Sequence, residues 1–245
     1  MLRAIYLILF IVIVFSFEAL SQQSRAINVG SGDYLGLTGE VGITSFFGDI
    51  DEGAAKGDSY KNNMAYKIML SRNFKSLFDI SGRISYGNMS GQKIRGANGH
   101  TVHYYFKNSF IEYTLDMGIN VLAIFTKNYN KKFGLYGTIG MGLIDFKVKL
   151  YDGVSDTLVR SHGYDGEKST TEFVLPFGLR AIYHITPTSA ISIQTTSSRV
   201  DTDKLDAVTG NDNSDYYNYI SFGYTYKFIL NKRRPGGISK RKIHK

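Results

Sequence analysis

The sequence predicts an all-β chain closed into an eight-stranded antiparallel transmembrane β-barrel, and three observations carry that prediction. The first is the stretch Asp215 to Phe228. Ile220, Phe222, Tyr224, Tyr226 and Phe228 fall on one face there, and Tyr219, Ser221, Gly223, Thr225 and Lys227 on the other. About ten residues of such alternation ending on an aromatic suit a strand that meets lipid on one side only. The second is the rhythm of the connections, which run long, short, long, short, long, short, long; external loops and short periplasmic turns produce that asymmetry. The third is composition: 26 Gly, 18 Tyr and 16 Phe in 245 residues, with three Pro and no Trp, suit a turn-rich single domain.

In chain order, the first strand runs from Leu35 to Phe47, with Leu35, Leu37, Val41, Ile43 and Phe47 opposite Thr38, Glu40 and Thr44. Gly48 to Asn63 has turn formers, acids and no period, and reads as a long loop. Met64, Tyr66, Ile68 and Leu70 mark the second strand. A tight link at Arg72 to Ser76 leads to the third, where Phe78, Ile80, Ile84 and Tyr86 oppose Asp79, Ser81, Arg83 and Ser85. A long loop is predicted from Gly87 to Tyr105. The fourth strand then sets Ile111, Tyr113, Leu115, Met117, Ile119 and Val121 against Glu112, Thr114, Asp116 and Asn120. After a basic turn at Lys127 to Lys132, the fifth strand spans Phe133 to Lys149, with Leu135, Ile139, Met141 and Leu143 facing away from Gly134, Tyr136, Thr138, Gly140 and Gly142. A third long loop is expected from Tyr151 to Ser169. The sixth strand, Thr171 to Ile185, sets Phe173, Leu175, Phe177, Leu179 and Tyr183 against Glu172, Gly178, Arg180 and His184. The turn Thr186 to Ser189, a weaker seventh strand at Ala190 to Ser198 and a fourth long loop at Val200 to Ser214 return the chain to the last strand.

Outside residues 35–228 the sequence predicts a signal peptide at 1–21, a lead at 22–34 and a basic periplasmic tail at 229–245. Arg3 starts the signal, Ala4 to Phe17 form its apolar core, and Ala19-Leu20-Ser21 is a small-x-small cleavage site. Arg3 and Glu18 cancel, and the tail carries Lys232, Arg233, Arg234, Lys240, Arg241, Lys242 and Lys245 without an acid. Of the net +8, the barrel therefore keeps about one charge. Basicity confined to a tail argues against nucleic acid as a partner and for an arm that meets an anionic periplasmic protein or headgroup surface. Without Cys, the chain offers no disulfide, thiolate ligand or thiol nucleophile.

A soluble lipocalin-like carrier would show the same alternation turned inside out. The polar faces, however, are mainly Gly, Ser and Thr, which fit a narrow lumen better than a soluble exterior. GEVGITSFFGDID (Gly39–Asp51), RISYGNMSG (Arg83–Gly91), TEFVLPFGLR (Thr171–Arg180) and SRVDTDKLDAVTG through DYYNYISFGYTYKF (Ser198–Phe228) resemble the Bacteroidetes outer-membrane β-barrel family related to the OmpA barrel. The resemblance covers about residues 35–228. It implies the outer membrane of a Gram-negative bacterium, and some members of that family stand beside larger machines, including the type IX secretion system. Unlike OmpA, this chain carries only the basic tail after the barrel.

Inward parity assigns Glu40, Arg83, Glu112, Asp116, Glu172 and Arg180 to a charge network inside the barrel. Arg180 is expected to pair with Glu172 or Glu112. Asp201, Asp203 and Asp206 in the last long loop are a weak calcium candidate, since they lack the ordered spacing and closing Glu of an EF-hand. His100, His103 and His162, with Ser90 and Ser161, are the residues that a lipid-modifying enzyme would place on external loops, but no spacing fixes a triad. His184 reads as a hydrogen-bonded strand residue. The sequence thus predicts a monomeric barrel in outer-membrane lipid, without cofactor or catalysis, acting as a scaffold or anchor through its loops and tail. The alternatives are the lipid-modifying enzyme and the soluble carrier.

Overall fold

The computed structural model describes residues 33–47, 63–95, 101–126, 132–163, 170–202, 204–207 and 214–229. Among the described residues nine strands follow one another: β1 (Tyr34–Phe47), β2 (Met64–Phe74), β3 (Phe78–Arg95), β4 (Thr101–Asn120), β5 (Phe133–Asp152), β6 (Leu158–His162), β7 (Thr170–His184), β8 (Ser189–Val200) and β9 (Asp215–Ile229). A six-residue helix, α1 (Val121–Thr126), sits between β4 and β5. All neighbouring strands are antiparallel, and the β1–β9 and β4–β5 pairings close eight of them into a barrel.

Closure fixes the barrel's dimensions. Followed from partner to partner, the register leads from Leu35 through Arg72, Ile80, Met117, Ile139, Phe177, Ser197 and Asn218 back to Ser45, ten residues further along β1. Ten steps of about 3.3 Å set against eight spacings of about 4.8 Å tilt the strands about 40° from the axis. The outward side chains from Phe133 to Leu143 of β5 are largely apolar and exposed. Ten steps at that tilt span about 25 Å, the height of a lipid-facing band. An apolar exterior around buried charges is the reverse of a soluble carrier.

Four sequence expectations are corrected. The loop predicted at Gly87 to Tyr105 is mostly strand, because β3 and β4 stay paired up to Arg95 and Thr101. The loop predicted from Tyr151 contains β6, which takes over the edge of β5 from Val148 to Tyr151 where β7 leaves it. Together β3, β4, β5 and β6 raise a sheet above the apolar band. Val121 is not strand: the Asn120 side chain accepts the Ala123 N–H at 3.0 Å, capping a helix in place of a further β pair. Finally, the inward face is not polar throughout. Phe46, Met89, Phe106, Phe110, Ile144, Phe146, Val148, Leu150, Val174, Val200, Tyr217 and Tyr219 fill its outer part as one apolar cluster.

The short turns lie at the opposite, periplasmic end. Lys75 and Ser76 both adopt positive φ, 50° and 55°, so the β2–β3 link has the two left-handed central residues of a tight hairpin. The Asn73 side chain accepts the Ser76 N–H at 2.9 Å, and the Asn120 side chain donates to the Ser76 carbonyl at 2.9 Å.

Candidate functional site

The lumen holds two layers of different chemistry. The lower one consists of ion pairs. Lys67 Nζ lies 3.0 Å from Glu40 Oε2, which also accepts from Ser221 Oγ at 2.6 Å. The Arg83 guanidinium bridges Glu112, at 3.0 Å, and Asp116, at 3.4 Å. Arg180 pairs with Asp79 and lies against Tyr136, its Cζ 4.9 Å from the ring centroid. Every one of the ion-paired side chains is at most 8% exposed. Buried charges in such a space persist only when paired and hydrogen-bonded. Backbone shape makes the room: a Cβ at Gly140 would lie 2.0 Å from Asp116 Oδ1, and one at Gly223 would lie 2.8 Å from Glu40 Cγ.

Of the six residues assigned to this network from sequence, Glu40, Arg83, Glu112, Asp116 and Arg180 are in it. Glu172 is not. It has inward parity opposite Ile144, beside the apolar cluster, and it is only partly buried. The partner of Arg180 is accordingly Asp79, in place of Glu172 or Glu112. Asp79 and Lys67 are the members that sequence reasoning missed, although inward parity on their strands would have found both. Below the network, Lys227 Nζ donates to His184 Nδ1 at 3.2 Å and to the Thr186 carbonyl at 3.0 Å.

The upper layer is closed from above by the last loop. Leu205 and Ala207 are fully buried in the apolar cluster. Asn108 Nδ2 donates to the Leu205 carbonyl at 2.7 Å, Arg160 to the Ala207 carbonyl at 3.2 Å, and the Leu205 N–H to Asp215 Oδ2 at 3.0 Å. The barrel mouth is thus stoppered by its own chain. An ion-paired lower lumen, an apolar upper lumen stoppered by Leu205 and Ala207, and a lipid-facing band together define a filled membrane barrel.

Against known proteins, the family model described as "Outer membrane protein beta-barrel domain" matches residues 7–228. The chain belongs to this family. Its barrel therefore resides in the bacterial outer membrane. Among solved structures it is similar to Ail, the attachment invasion locus protein of Yersinia pestis, crystallised with the heparin analogue sucrose octasulfate (15% identity, 81% of this chain and 99% of that one, TM-score 0.43). It is also similar to Neisserial surface protein A (15%, 81% and 98%, 0.43) and to a major outer membrane protein of Thermus thermophilus (10%, 79% and 99%, 0.45). Comparison with curated proteins finds no match.

The family barrel treats the remaining candidates differently. Of the weak calcium candidates, Asp201 is exposed, Asp206 is fully buried and Asp203 lies outside the described residues. No group of three or more metal-ligating side chains exists among the described residues. His103 stands by the β5–β6 tip, its carbonyl accepting from Gly153 at 2.6 Å, whereas His162 pairs with Val148 at the base of that hairpin. Five strand steps, about 17 Å, separate those levels. Ser90 donates to Asn63 Oδ1 at 2.8 Å, and Ser161 lies opposite Lys149. His100, the signal segment and the tail cations Lys232, Arg233, Arg234, Lys240, Arg241 and Lys242 lie outside the described residues.

Above the band, two ionisable groups are shifted by local bonds. The Asp152 carboxylate accepts the backbone N–H groups of Ser155 and Val154, each at 2.9 Å, which holds it below the usual carboxylate range. The Tyr105 hydroxyl donates to Asp156, and that bond pushes its pKa up to about 12.

Proposed function

We propose that this barrel serves as a structural, partner-binding scaffold or anchor of the outer membrane and not as a pore or an enzyme. The observation that supports the reading is the filled lumen: ion pairs occupy its lower part, and an apolar cluster sealed by Leu205 and Ala207 occupies the rest. Eight strands leave an interior just wide enough for side chains. Surfaces are then left to do the work, namely the raised β3–β6 sheet outside and the basic tail beneath. On the resemblance read from the sequence, the finer placement is a Bacteroidetes barrel within a secretion or envelope assembly, contacted through Lys232, Arg233, Arg234, Lys240, Arg241 and Lys242.

The test is crosslinking in intact cells followed by mass spectrometry, for the full chain and for a chain lacking residues 232–245. A recurring stoichiometric partner that is lost on tail deletion, and whose capture weakens with salt, is the expected result. Turnover of outer-leaflet lipid by the purified barrel, or ohmic conductance in a planar bilayer, would overturn the scaffold reading.

A further inference from the structure

At the periplasmic end, the link from β4 to β5 begins with α1, whose sequence Val121-Leu122-Ala123-Ile124-Phe125-Thr126 carries no charge. A helix of six residues is about 9 Å long and cannot bury such a surface within itself. Ala123 is buried, but Ile124 is 49% and Phe125 81% exposed. Large apolar groups at that exposure call for an apolar cover.

The surroundings of α1 identify that cover. Ile119, the last outward residue of β4, pairs with Phe78 on one side and with Gly137 on the other. Gly137 shares its outward parity with Ile139 and Met141, and a Cβ placed there would meet Val121 Cγ2 at 3.7 Å. The helix therefore starts on the lipid side of the barrel wall and not beneath the lumen. Val121, Ile124 and Phe125 stand at i, i+3 and i+4, so they share one helix face. The two strands that flank β4 begin on outward aromatics near this level: Phe78 opens β3, and Phe133 opens β5 opposite Tyr183 of β7. All three rings are exposed. Aromatic girdles of this kind mark the boundary between acyl chains and headgroups, and α1 is set into it.

The backbone fixes the depth. The Asn120 side chain accepts the Ala123 N–H at 3.0 Å, and the Thr126 hydroxyl donates to the Leu122 carbonyl at 2.7 Å. So short a helix still leaves several terminal N–H and C=O groups without an intrahelical partner, and hydrocarbon cannot satisfy them. Its backbone belongs among the headgroups, with its apolar side chains reaching the upper acyl chains.

We propose that α1 is an interfacial anchor, binding the phospholipid of the inner leaflet by inserting Ile124 and Phe125 at the boundary of headgroup and acyl chain. Continuity with the lipid-facing band at Ile119 and Gly137, and a helix without charge, favour phospholipid over a periplasmic protein.

The experiment exploits the absence of Trp, since F125W gives the full chain a single indole. The barrel is placed in phospholipid nanodiscs, where both membrane faces meet the buffer, and gel mobility shows which variants are folded. F125W is expected to emit to the blue of its urea-unfolded form. Phospholipid brominated near the glycerol end of its chains should quench it more than phospholipid brominated near the terminal methyl, and more than iodide in solution. L115W, in the middle of the band, should be quenched most by the deep bromines, and V154W, at the β5–β6 tip, by iodide. An F125W barrel that behaves like V154W would overturn the proposal in favour of a water-exposed helix free for a periplasmic protein. One that behaves like L115W would overturn it by placing the helix in hydrocarbon. Because an indole itself favours the interface, a second probe leaves the anchor residues to be tested: I124S/F125S in an L122W chain should raise iodide quenching severalfold over L122W alone. An unchanged value would overturn the anchoring role of Ile124 and Phe125.

Discussion

Replacing Arg180 with Met isolates what the lumen pairs contribute. Arg180 meets one carboxylate, Asp79, and one ring, Tyr136, with both its own side chain and that of Asp79 only 5% exposed. Met approximates the length of the Arg stem but leaves Asp79 charged and unpaired, a change that costs about 3–5 kcal/mol in buried pairs. The lost cation–π contact adds about 1 kcal/mol. Asp79→Asn strands the guanidinium instead and should cost about 3 kcal/mol or more. The double variant buries neither charge, so it should lose only the ring contact and a hydrogen bond, about 2 kcal/mol. The single costs together reach about 7 kcal/mol against about 2 kcal/mol for the double variant, so the coupling should be about 5 kcal/mol. Because the chain has no Trp, urea titrations of the barrel in lipid vesicles are best followed by the electrophoretic difference between folded and unfolded forms or by circular dichroism. Strictly additive single costs would refute the pairing argument.

Leu115→Arg, centred in the lipid-facing band of β4, should destabilise the barrel by about 2–4 kcal/mol in the same titration, while the inward Thr114→Ser stays mild. Equal tolerance at the two positions would contradict the assigned faces. Gly140→Ala should cost about 1–3 kcal/mol, since the new Cβ meets Asp116 Oδ1 at 2.0 Å and the Leu115 carbonyl at 2.8 Å. Gly137→Ala, which meets only Val121 at 3.7 Å, is its control. Asp152 is held below its usual pKa by the Ser155 and Val154 N–H groups, so its support of the hairpin tip is complete above the unfolded value of about 3.9 and fades as pH falls through the folded one. Amide-exchange protection of Val154 and Ser155 should fall in acid; protection that stays unchanged as pH drops well below the unfolded value of about 3.9 would contradict this.

How much is legible depends on which face carries the signal. Most barrel strands are readable because their lipid-facing residues are mainly large and apolar at every second position, as from Ile111 to Ile119, whereas β8, whose outward face passes from Ile193 to Thr195 and Ser197, gives a weaker signal. The upper sheet is not, although its cue is present in Leu143-Ile144-Asp145-Phe146-Lys147-Val148-Lys149-Leu150. There the apolar residues shift by one position, which marks where the outward face leaves lipid for water while the strand continues. An expectation of one phase per strand turns such a stretch into loop. Asp79 falls on the correct face but outside the expected network, because pairing across the lumen depends on closure and is invisible along a strand. Asn120 has the parity of a last inward strand residue, which hides its helix-capping role. The burial of Leu205 and Ala207 has no periodic signal, being a loop folded back onto the cluster.

That tucked loop also divides the outer surface into positions that accept foreign sequence and positions that do not. An epitope spliced beside Val154, 85% exposed at the β5–β6 tip, lengthens a turn already in solvent and should leave the barrel beneath it intact. The same epitope between Leu205 and Ala207 would pull both out of the mouth and break the hydrogen bonds from Asn108 and Arg160. A graft at the first position displays a tag; one at the second uncorks the barrel.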